Sequence, residues 1–453
     1  MESILFLVRC SHVESLRSKV AGYWPAVVNH ATHRRLGIAT SFFHRYAIKL
    51  NVGTIADATT KPAMKHWIHV QLPYLHMPVT EATQLKTQLR DDGLHMAAGS
   101  DHSVVMLKYP IVGNFTFQYE TDHKDAQHAT STFYQGTTYT LTPDQRKLTV
   151  RAGLGRNSAN IDHIRSNTIS ANTLKLSCGK NEVDLLVNDV SLNRSDARST
   201  SMPFIGIDIR GNAVGRASKI AIGGNPVIPR SIDLLEPQLR GWTCALFEGQ
   251  LNNAHLPYEN NQFKANIVSL RKIEQQNAGT NTTWYVADGV LQTGSREEAA
   301  DMRHLQYARP ILEGESVQFQ LHYDPKNSME SHPTVGRTAV LIRDGQLKLR
   351  WIRQRHSAES FAAKSLNEVA LDAKDSAAYQ LKPGQWNDVV IKHESRDVFA
   401  ISINGTRAGQ FTAGLDQRFG FLCEKDRKAK LRSVSLMGPW PEKLPDDLLA
   451  PSE

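Results

Sequence analysis

The sequence predicts a mainly β protein of two antiparallel β-sandwiches in tandem, behind a short helical extension at the N terminus. Two observations carry this prediction. Residues 398–449 repeat an earlier segment, 183–235, and a repeat of this length marks a duplicated domain, because solenoid repeats are much shorter. Both copies consist of short runs of alternating apolar and polar residues between turn signals, which is typical of antiparallel strands.

The composition is that of a globular chain. Of the 453 residues, 40% are apolar and 22% are charged, and no apolar run approaches the roughly 18 residues of a membrane helix. This length has room for two or three domains. The apolar run at residues 3–8 is too short for a signal peptide and lacks basic residues before it. The sequence therefore predicts neither a signal peptide nor a membrane span, and it leaves the compartment open.

The duplication is clearest at a hairpin. Phe399, Ile401 and Ile403 alternate along one side of a run that ends at Asn404-Gly405, a pair that readily adopts the positive φ of a tight hairpin turn. The earlier copy has Asn-Asp at the equivalent turn, so its hairpin is predicted less strongly. Further matches follow in both copies. They are Gly206 with Gly420, Ile232–Leu235 with Asp446–Leu449, and, upstream, Asp144–Arg151 with Asp344–Arg350.

The chain is divided by these matches and by composition. The predicted division is a basic helix-containing extension over 1–88, a first β-sandwich over 89–240, an asparagine-rich linker over 241–283 and a second β-sandwich over 284–449. In the extension, Ser11 and Glu14 have capping-box spacing and start one helical pattern, and residues 36–50 carry a second.

Most of the positive charge lies at the N terminus. Residues 1–90 contain 11 Lys and Arg and 4 Asp and Glu, a net charge of +7 out of the chain's +8. A contact with nucleic acid is one explanation, but no dense Lys/Arg tract or nucleic-acid motif accompanies the charge. A solvated helical face is the favoured interpretation, and a nucleic-acid partner is not expected.

The order of motifs in the second copy resembles a known class of folds. An Asp-Gly start at Asp288, a Gly-x-Trp strand with Trp386, the Asn-Gly hairpin and an aromatic-Gly-aromatic strand around Gly420 resemble concanavalin-like jelly rolls. Laminin-G modules and 3-keto-disaccharide hydrolase-like domains share this pattern. The ending Gly-Pro-Trp-Pro with Asp-Asp-Leu-Leu resembles planctomycete families known as domains of unknown function. The resemblance implies two jelly rolls, a glycan or protein partner, and association with a cell surface.

A catalytic site is not evident in the residues. Jelly-roll glycosidases similar to laminarinases place three acids as Glu-x-Asp-x-x-Glu on one strand. Glu182 and Asp184 match the first two positions, but Val187 stands at the third. The sequence also has no Gly-x-Ser-x-Gly and no phosphate-binding loop. A non-catalytic carbohydrate-binding or interaction protein is the favoured hypothesis. A 3-keto-disaccharide hydrolase-like enzyme and a purely structural tandem are the alternatives.

The candidate ligand-binding residues are aromatic and cationic side chains of the second copy. Sugar rings stack on aromatic faces and bond to nearby polar groups, which selects Tyr323, Arg350, Trp351 and Trp386. The competing interpretation, favoured for the two tryptophans, buries them in the core. Trp386 has no equivalent near Asn172 of the first copy. No metal or other cofactor is predicted.

Two carboxylates of the second copy are of the kind that bind calcium at a sandwich rim. Laminin-G modules often hold this ion through carboxylates and carbonyls, and Asp324 and Asp344 have suitable side chains. Two isolated carboxylates do not predict a calcium site.

Overall fold

A computed structural model gives the fold. It describes residues 65–72, 86–90, 93–97, 102–121, 130–142, 147–152, 160–165, 173–196, 201–210, 214–237, 239–248, 284–293, 300–336, 338–343, 345–351, 368–370, 377–413, 417–424 and 427–449. The two predicted N-terminal helices lie outside these residues. None of the helices in the described ranges is long and apolar enough to cross a membrane.

The described residues form 29 strands and two short 3₁₀ helices. The strands are β1 (Trp67–Leu72), β2 (Lys86–Arg90), β3 (Gly93–Ala97), β4 (His102–Leu107), β5 (Val112–Thr121), β6 (Thr130–Tyr134), β7 (Thr137–Thr142), β8 (Lys147–Ala152), β9 (Asn160–Arg165), β10 (Thr173–Cys178), β11 (Glu182–Val187), β12 (Val190–Asp196), β13 (Ile205–Arg210), β14 (Val214–Val227), β15 (Ser231–Asp233), β16 (Trp242–Glu248), β17 (Trp284–Ala287), β18 (Val290–Thr293), β19 (Ala300–Pro310), β20 (Ser316–Tyr323), β21 (His332–Val335), β22 (Thr338–Arg343), β23 (Gln346–Trp351), β24 (Glu368–Ala370), β25 (Gln385–Ser395), β26 (Val398–Ile403), β27 (Thr406–Thr412), β28 (Arg418–Glu424) and β29 (Lys430–Met437). The 3₁₀ helices are Pro325–Asn327 and Asp446–Leu448.

The strands form four antiparallel sheets, two in each sandwich. The first sandwich consists of sheet 1, in the order β1-β4-β13-β6-β7-β8-β9, and sheet 2, in the order β12-β11-β10-β5-β14-β3-β2. The second sandwich consists of sheet 3, in the order β17-β18-β29-β20-β25-β26-β27 with β15 beside β29, and sheet 4, in the order β16-β19-β28-β21-β22-β23-β24. The predicted mainly β fold of two tandem sandwiches is confirmed.

The two sandwiches have the same topology. Each strand from β1 to β14 has a counterpart fifteen strands later in the same place of the corresponding sheet. The register agrees as well, because Gly206 pairs with Met106 and Phe133 as Gly420 pairs with Gln306 and Thr334. The duplication therefore defines a counterpart for most positions, which allows the two copies to be compared residue by residue.

Both predicted hairpin turns are present. Asn404 and Gly405 have φ values of 49° and 82°, and Asn188 and Asp189 have 49° and 63°. In each turn the first asparagine fixes the neighbouring strand, since its Oδ1 accepts from the backbone N–H of Asp388 in one copy and of Thr173 in the other. The Asn-Asp turn, predicted less strongly, forms because both residue types tolerate left-handed backbone.

Some strands lie outside the segments in which the sequence predicted them. β1 lies in the predicted extension and belongs to the first sandwich, whereas β16 lies in the predicted linker and belongs to the second. The limits 89–240 and 284–449 stay a prediction. We propose that the sandwiches begin earlier, at β1 and β16, because both strands are paired within their sheets.

The ends of the two copies pack on each other's sandwich. At the end of the first copy, β15 pairs with β29, and Ile232 and Leu234 join the core of the second sandwich. At the end of the second copy, Leu444 and Leu448 join the core of the first. The repeated Asp-Leu-Leu endings are therefore exchanged, each one contributing apolar side chains to the other core.

A buried ion pair lies at the junction of the sandwiches. The Arg309 guanidinium binds both carboxylate oxygens of Glu315 at 2.7 Å, donates to the carbonyl of Lys108 at 2.8 Å and lies over the ring of Phe204. Trp440 Nε1 donates to the same carboxylate at 2.8 Å. Lys108 and Phe204 belong to the first copy, so this ion pair ties the second sandwich to the first.

Candidate binding surfaces of the second sandwich

Strand alternation decides which side chains face outward from sheet 3. In β20, Val317, Phe319 and Leu321 point into the core, so Gln318, Gln320 and His322 face outward. The register places Trp386 beside His322 and Asp388 beside Gln320 on β25, and Arg432 beside Gln320 on β29. We call the set of Gln320, His322, Trp386, Asp388 and Arg432 the Trp386 surface.

The side chains of the Trp386 surface are linked to one another. The Arg432 guanidinium carbon lies 4.2 Å from the centre of the Trp386 ring, and its Nε donates to Gln320 Oε1 at 2.7 Å. Gln320 Nε2 donates to Asp388 Oδ1 at 2.8 Å. The His322 ring meets the Trp386 ring edge-on at 5.3 Å between centroids. This chain of contacts holds a half-buried indole and a guanidinium in fixed positions on an outward face.

The first copy does not carry this set. The counterparts of Gln320, Asp388 and Arg432 are Glu120, Thr173 and Ser218, and Glu120 is paired with Lys219 at 2.8 Å. The same fold therefore forms without a stacked guanidinium at this place. The Trp386 surface is a property of the second copy and is not a requirement of the sandwich.

A second polar group of side chains lies on the outer face of sheet 4. Glu330 Oε1 accepts from Arg343 Nε at 2.6 Å and lies 3.2 Å from His332 Nε2, and Glu330 Oε2 lies 3.4 Å from Arg427 Nε. Glu424 is bound by Arg350 Nη1, with Arg343 Nη2 at 3.8 Å. We call these six residues the arginine–glutamate cluster. They are Glu330, His332, Arg343, Arg350, Glu424 and Arg427.

The two carboxylates of this cluster have lowered pKa values. Burial alone would raise the pKa of Glu330, but hydrogen bonds and charges from His332 and Arg343 outweigh it and lower the pKa to about 2. Burial likewise opposes ionisation of Glu424, and the charge and hydrogen bond of Arg350 overcome it, so its pKa is lowered. Both carboxylates are therefore ionised at neutral pH.

A glycine allows close packing on the same face of sheet 4 beside the cluster. His304 Nε2 and Thr334 Oγ1 are hydrogen-bonded at 2.9 Å above Gly420. A Cβ at Gly420 would lie 2.7 Å from Thr334 Oγ1 and against the carbonyl of Leu305, so a larger residue would displace them. In the first copy, Val104 and Phe133 stand where His304 and Thr334 stand in the second. These positions are apolar in one copy and polar in the other.

The structure separates the four predicted site residues. Trp386 lies on the outer face of sheet 3 and not in the core, while Arg350 lies in the cluster on sheet 4. Tyr323 is 3% exposed and packs in the core. Trp351 ends β23 opposite Thr338, and its side chain is outside the described set. No single surface therefore unites them.

The predicted ligand-binding residues do not include Gln320, His322, Asp388 and Arg432 of the Trp386 surface. Their alternation along β20, β25 and β29 shows that each strand has an outward row, and that signal was available. It could not show which rows are neighbours, because the register between strands distant in the chain is set by tertiary packing.

One of the two candidate calcium ligands lies in the described part of the chain. Asp324 caps the 3₁₀ helix Pro325–Asn327, where its carboxylate accepts from Asn327. Asp344 is outside the described ranges. Within those ranges, no group of three or more His, Cys, Asp or Glu side chains is arranged to hold a metal ion.

Two family models match parts of the chain. DUF1581, a protein of unknown function, matches residues 175–282, and DUF1583_N, a domain of unknown function, matches residues 293–443. A search of curated proteins found no match.

Three solved structures illustrate the remote structural similarities. The carbohydrate binding module CBM66 from Bacillus subtilis is 10% identical, with a TM-score of 0.24, over 34% of this chain and 100% of that one. A putative glycosyl hydrolase from Parabacteroides distasonis is 11% identical, with a TM-score of 0.24, over 36% and 86%. The exoplasmic/lumenal domain of VIP36, in a Ca²⁺/Man3GlcNAc-bound form, is 10% identical, with a TM-score of 0.25, over 36% and 86%. Similarity at this level carries no argument about activity.

Proposed function

We propose that the protein is a non-catalytic carbohydrate-binding protein built on two concanavalin-like sandwiches, and that it binds glycans at the Trp386 surface. The observation that carries the proposal is the outward position of Trp386 on sheet 3, among Gln320, Asp388 and Arg432. The first copy, which has the same topology, has none of these three polar residues at the counterpart positions.

The chemistry of this surface suits a saccharide. A sugar ring has apolar C–H faces that pack on an indole and hydroxyl groups that bond to planar polar side chains. The Trp386 surface offers an indole, an imidazole, an amide, a carboxylate and a guanidinium on neighbouring strands. Their mutual contacts hold the rotamers before a ligand arrives, which reduces the conformational entropy lost on binding.

Two acids of the second sandwich, Glu330 and Glu424, are unsuited to the role of general acid. Glycoside hydrolysis needs a carboxylic acid that stays protonated near neutral pH in order to protonate the leaving group. Glu330 and Glu424 have lowered pKa values, since both are paired with arginines. The alternative, a hydrolase of the 3-keto-disaccharide type, would require an acid with the opposite perturbation.

The test is a glycan-array screen of the full chain with sugar turnover followed in parallel, and then titration of any hit. Trp386→Ala removes the stacking surface and is expected to weaken binding about tenfold or more. Val227→Ala is the control, because Val227 is an exposed apolar residue at the end of β14 in the first sandwich. Turnover of a glycoside would overturn the proposal. Binding that Trp386→Ala leaves intact would overturn the assigned site, and no binding at all would favour the structural tandem.

A further inference from the structure

The Arg432 side chain is held from two directions. Its Nε donates to Gln320, which in turn is fixed by Asp388, and its guanidinium carbon lies over the Trp386 ring. A guanidinium stacked on an aromatic ring keeps its N–H groups in the plane of the guanidinium, at the edge of the stack. The two terminal nitrogens therefore occupy defined positions on the outward face.

The contacts of Arg432 differ from those of another arginine on the same sheet. Arg407 is bound by both carboxylate oxygens of Glu394, at 2.7 and 2.9 Å. For Arg432, the protein contacts in the described residues are Gln320 and Trp386, and neither is an anion. A fixed guanidinium without a carboxylate partner is an arrangement that suits bidentate binding of an anionic group from a ligand.

The surroundings of Arg432 add positive charge. Lys430 faces outward from the same strand, two residues before Arg432. Lys392 faces outward farther along β25, where its charge acts on Glu394. Asp388 is the nearest acid of the surface, and it accepts a hydrogen bond from Gln320. A ligand that spans the indole and Arg432 therefore meets the positive charges of Arg432 and Lys430 and the negative charge of Asp388.

We infer that the saccharide bound at the Trp386 surface is acidic and carries a carboxylate or sulfate group that Arg432 binds. This inference rests on the proposed function and narrows it to a ligand class. In this arrangement Trp386 packs against the sugar ring and also orients the guanidinium. Gln320 is a positioning residue, since it fixes Nε and leaves the terminal nitrogens to the ligand.

The experiment compares polysaccharides that differ only in charge. Affinity electrophoresis of the full chain uses polygalacturonate against its methyl ester, and dextran sulfate against dextran. We expect retardation by at least one acidic polymer, little retardation by its neutral partner, and loss of retardation at about 0.5 M salt through screening. The pair that responds distinguishes carboxylate from sulfate.

Two variants test the assigned residue. Arg432→Gln keeps a planar polar group but removes the charge, and it is expected to weaken binding of the acidic polymer about ten- to hundredfold, as for loss of a charge-assisted hydrogen bond. Arg407→Gln is the matched control and is expected to leave binding unchanged, because Arg407 is occupied by Glu394.

The failures of the inference and of the proposed function are distinguishable. Binding of neutral glycans alone, or acidic binding that Arg432→Gln leaves unchanged, would overturn the acidic-ligand inference and leave the proposed function standing. Absence of binding to every acidic and neutral polymer and to the glycan array would overturn both.

Discussion

The exchange of chain ends between the sandwiches makes an unusual prediction for Leu448. This residue follows the last strand of the second sandwich, yet its side chain, 8% exposed, packs in the core of the first. Leu448→Ala removes buried methyl groups, and such changes cost about 2–5 kcal/mol. We expect the lower half of this range, about 2–3 kcal/mol, because the Leu448 side chain keeps 8% of its exposure in the folded chain.

Hydrogen exchange followed by peptide mass spectrometry shows which sandwich is affected. Leu448→Ala is expected to speed exchange about 30- to 100-fold for the globally protected amides of β5 and β14, with a smaller change in β20 and β25. Leu449→Ala is the control, since that side chain is 38% exposed and the substitution should cost no more than about 0.5 kcal/mol. Faster hydrogen exchange confined to the second sandwich would refute the packing of Leu448 on the first sandwich. Equal effects of the two variants would refute it as well.

Three further predictions concern the same architecture. Leu234→Ala, the reciprocal change, should destabilise the second sandwich by about 2–4 kcal/mol in the same hydrogen-exchange experiment, although Leu234 belongs to the end of the first copy. Glu330 has a pKa lowered from 4.5 to about 2, so it contributes about 3 kcal/mol of stability above pH 4.5 that is lost as the pH falls to about 2. Urea unfolding between pH 2 and 7 should show this loss, and Glu330→Gln should remove that part of the pH dependence. Gly420→Ala should lower the free energy of unfolding by about 1–3 kcal/mol, because the added Cβ would meet Thr334 and the carbonyl of Leu305. A thermal melt unchanged from the wild type would contradict this packing.

The fold was largely readable from local signals. Asn404-Gly405 marked a hairpin by turn chemistry, and the matching glycines Gly206 and Gly420 aligned the copies, because each lies where a Cβ would strike a neighbouring strand. The repeated Asp-Leu-Leu endings were visible as well. Their packing on the opposite sandwich was not visible in the sequence, because a contact between residues more than 200 positions apart leaves no trace in local periodicity.

The site was harder to predict because β25 places a polar side chain in the core and a tryptophan on the outer face. In β25 the polar residue Asn387 points inward, fully buried, and its amide bonds to Lys382, Gln385 and Asn404. Trp386 consequently faces outward. Hydrophobicity alone favours the tryptophan inside, since a buried amide is stable only when its hydrogen bonds are satisfied. Those partners come from a loop and a distant turn, so only the assembled fold reveals the orientation.

The central claim is that the outer face of sheet 3, around Trp386, is a saccharide-binding surface. The most direct measurement is ¹⁹F NMR of the chain with its seven tryptophans replaced by 5-fluorotryptophan, titrated with polygalacturonate and dextran sulfate. Trp386→Phe assigns the resonance. We predict that the Trp386 signal shifts on binding while that of Trp284, buried in the core, does not. Binding that moves other tryptophan signals and leaves that of Trp386 in place would contradict the claim.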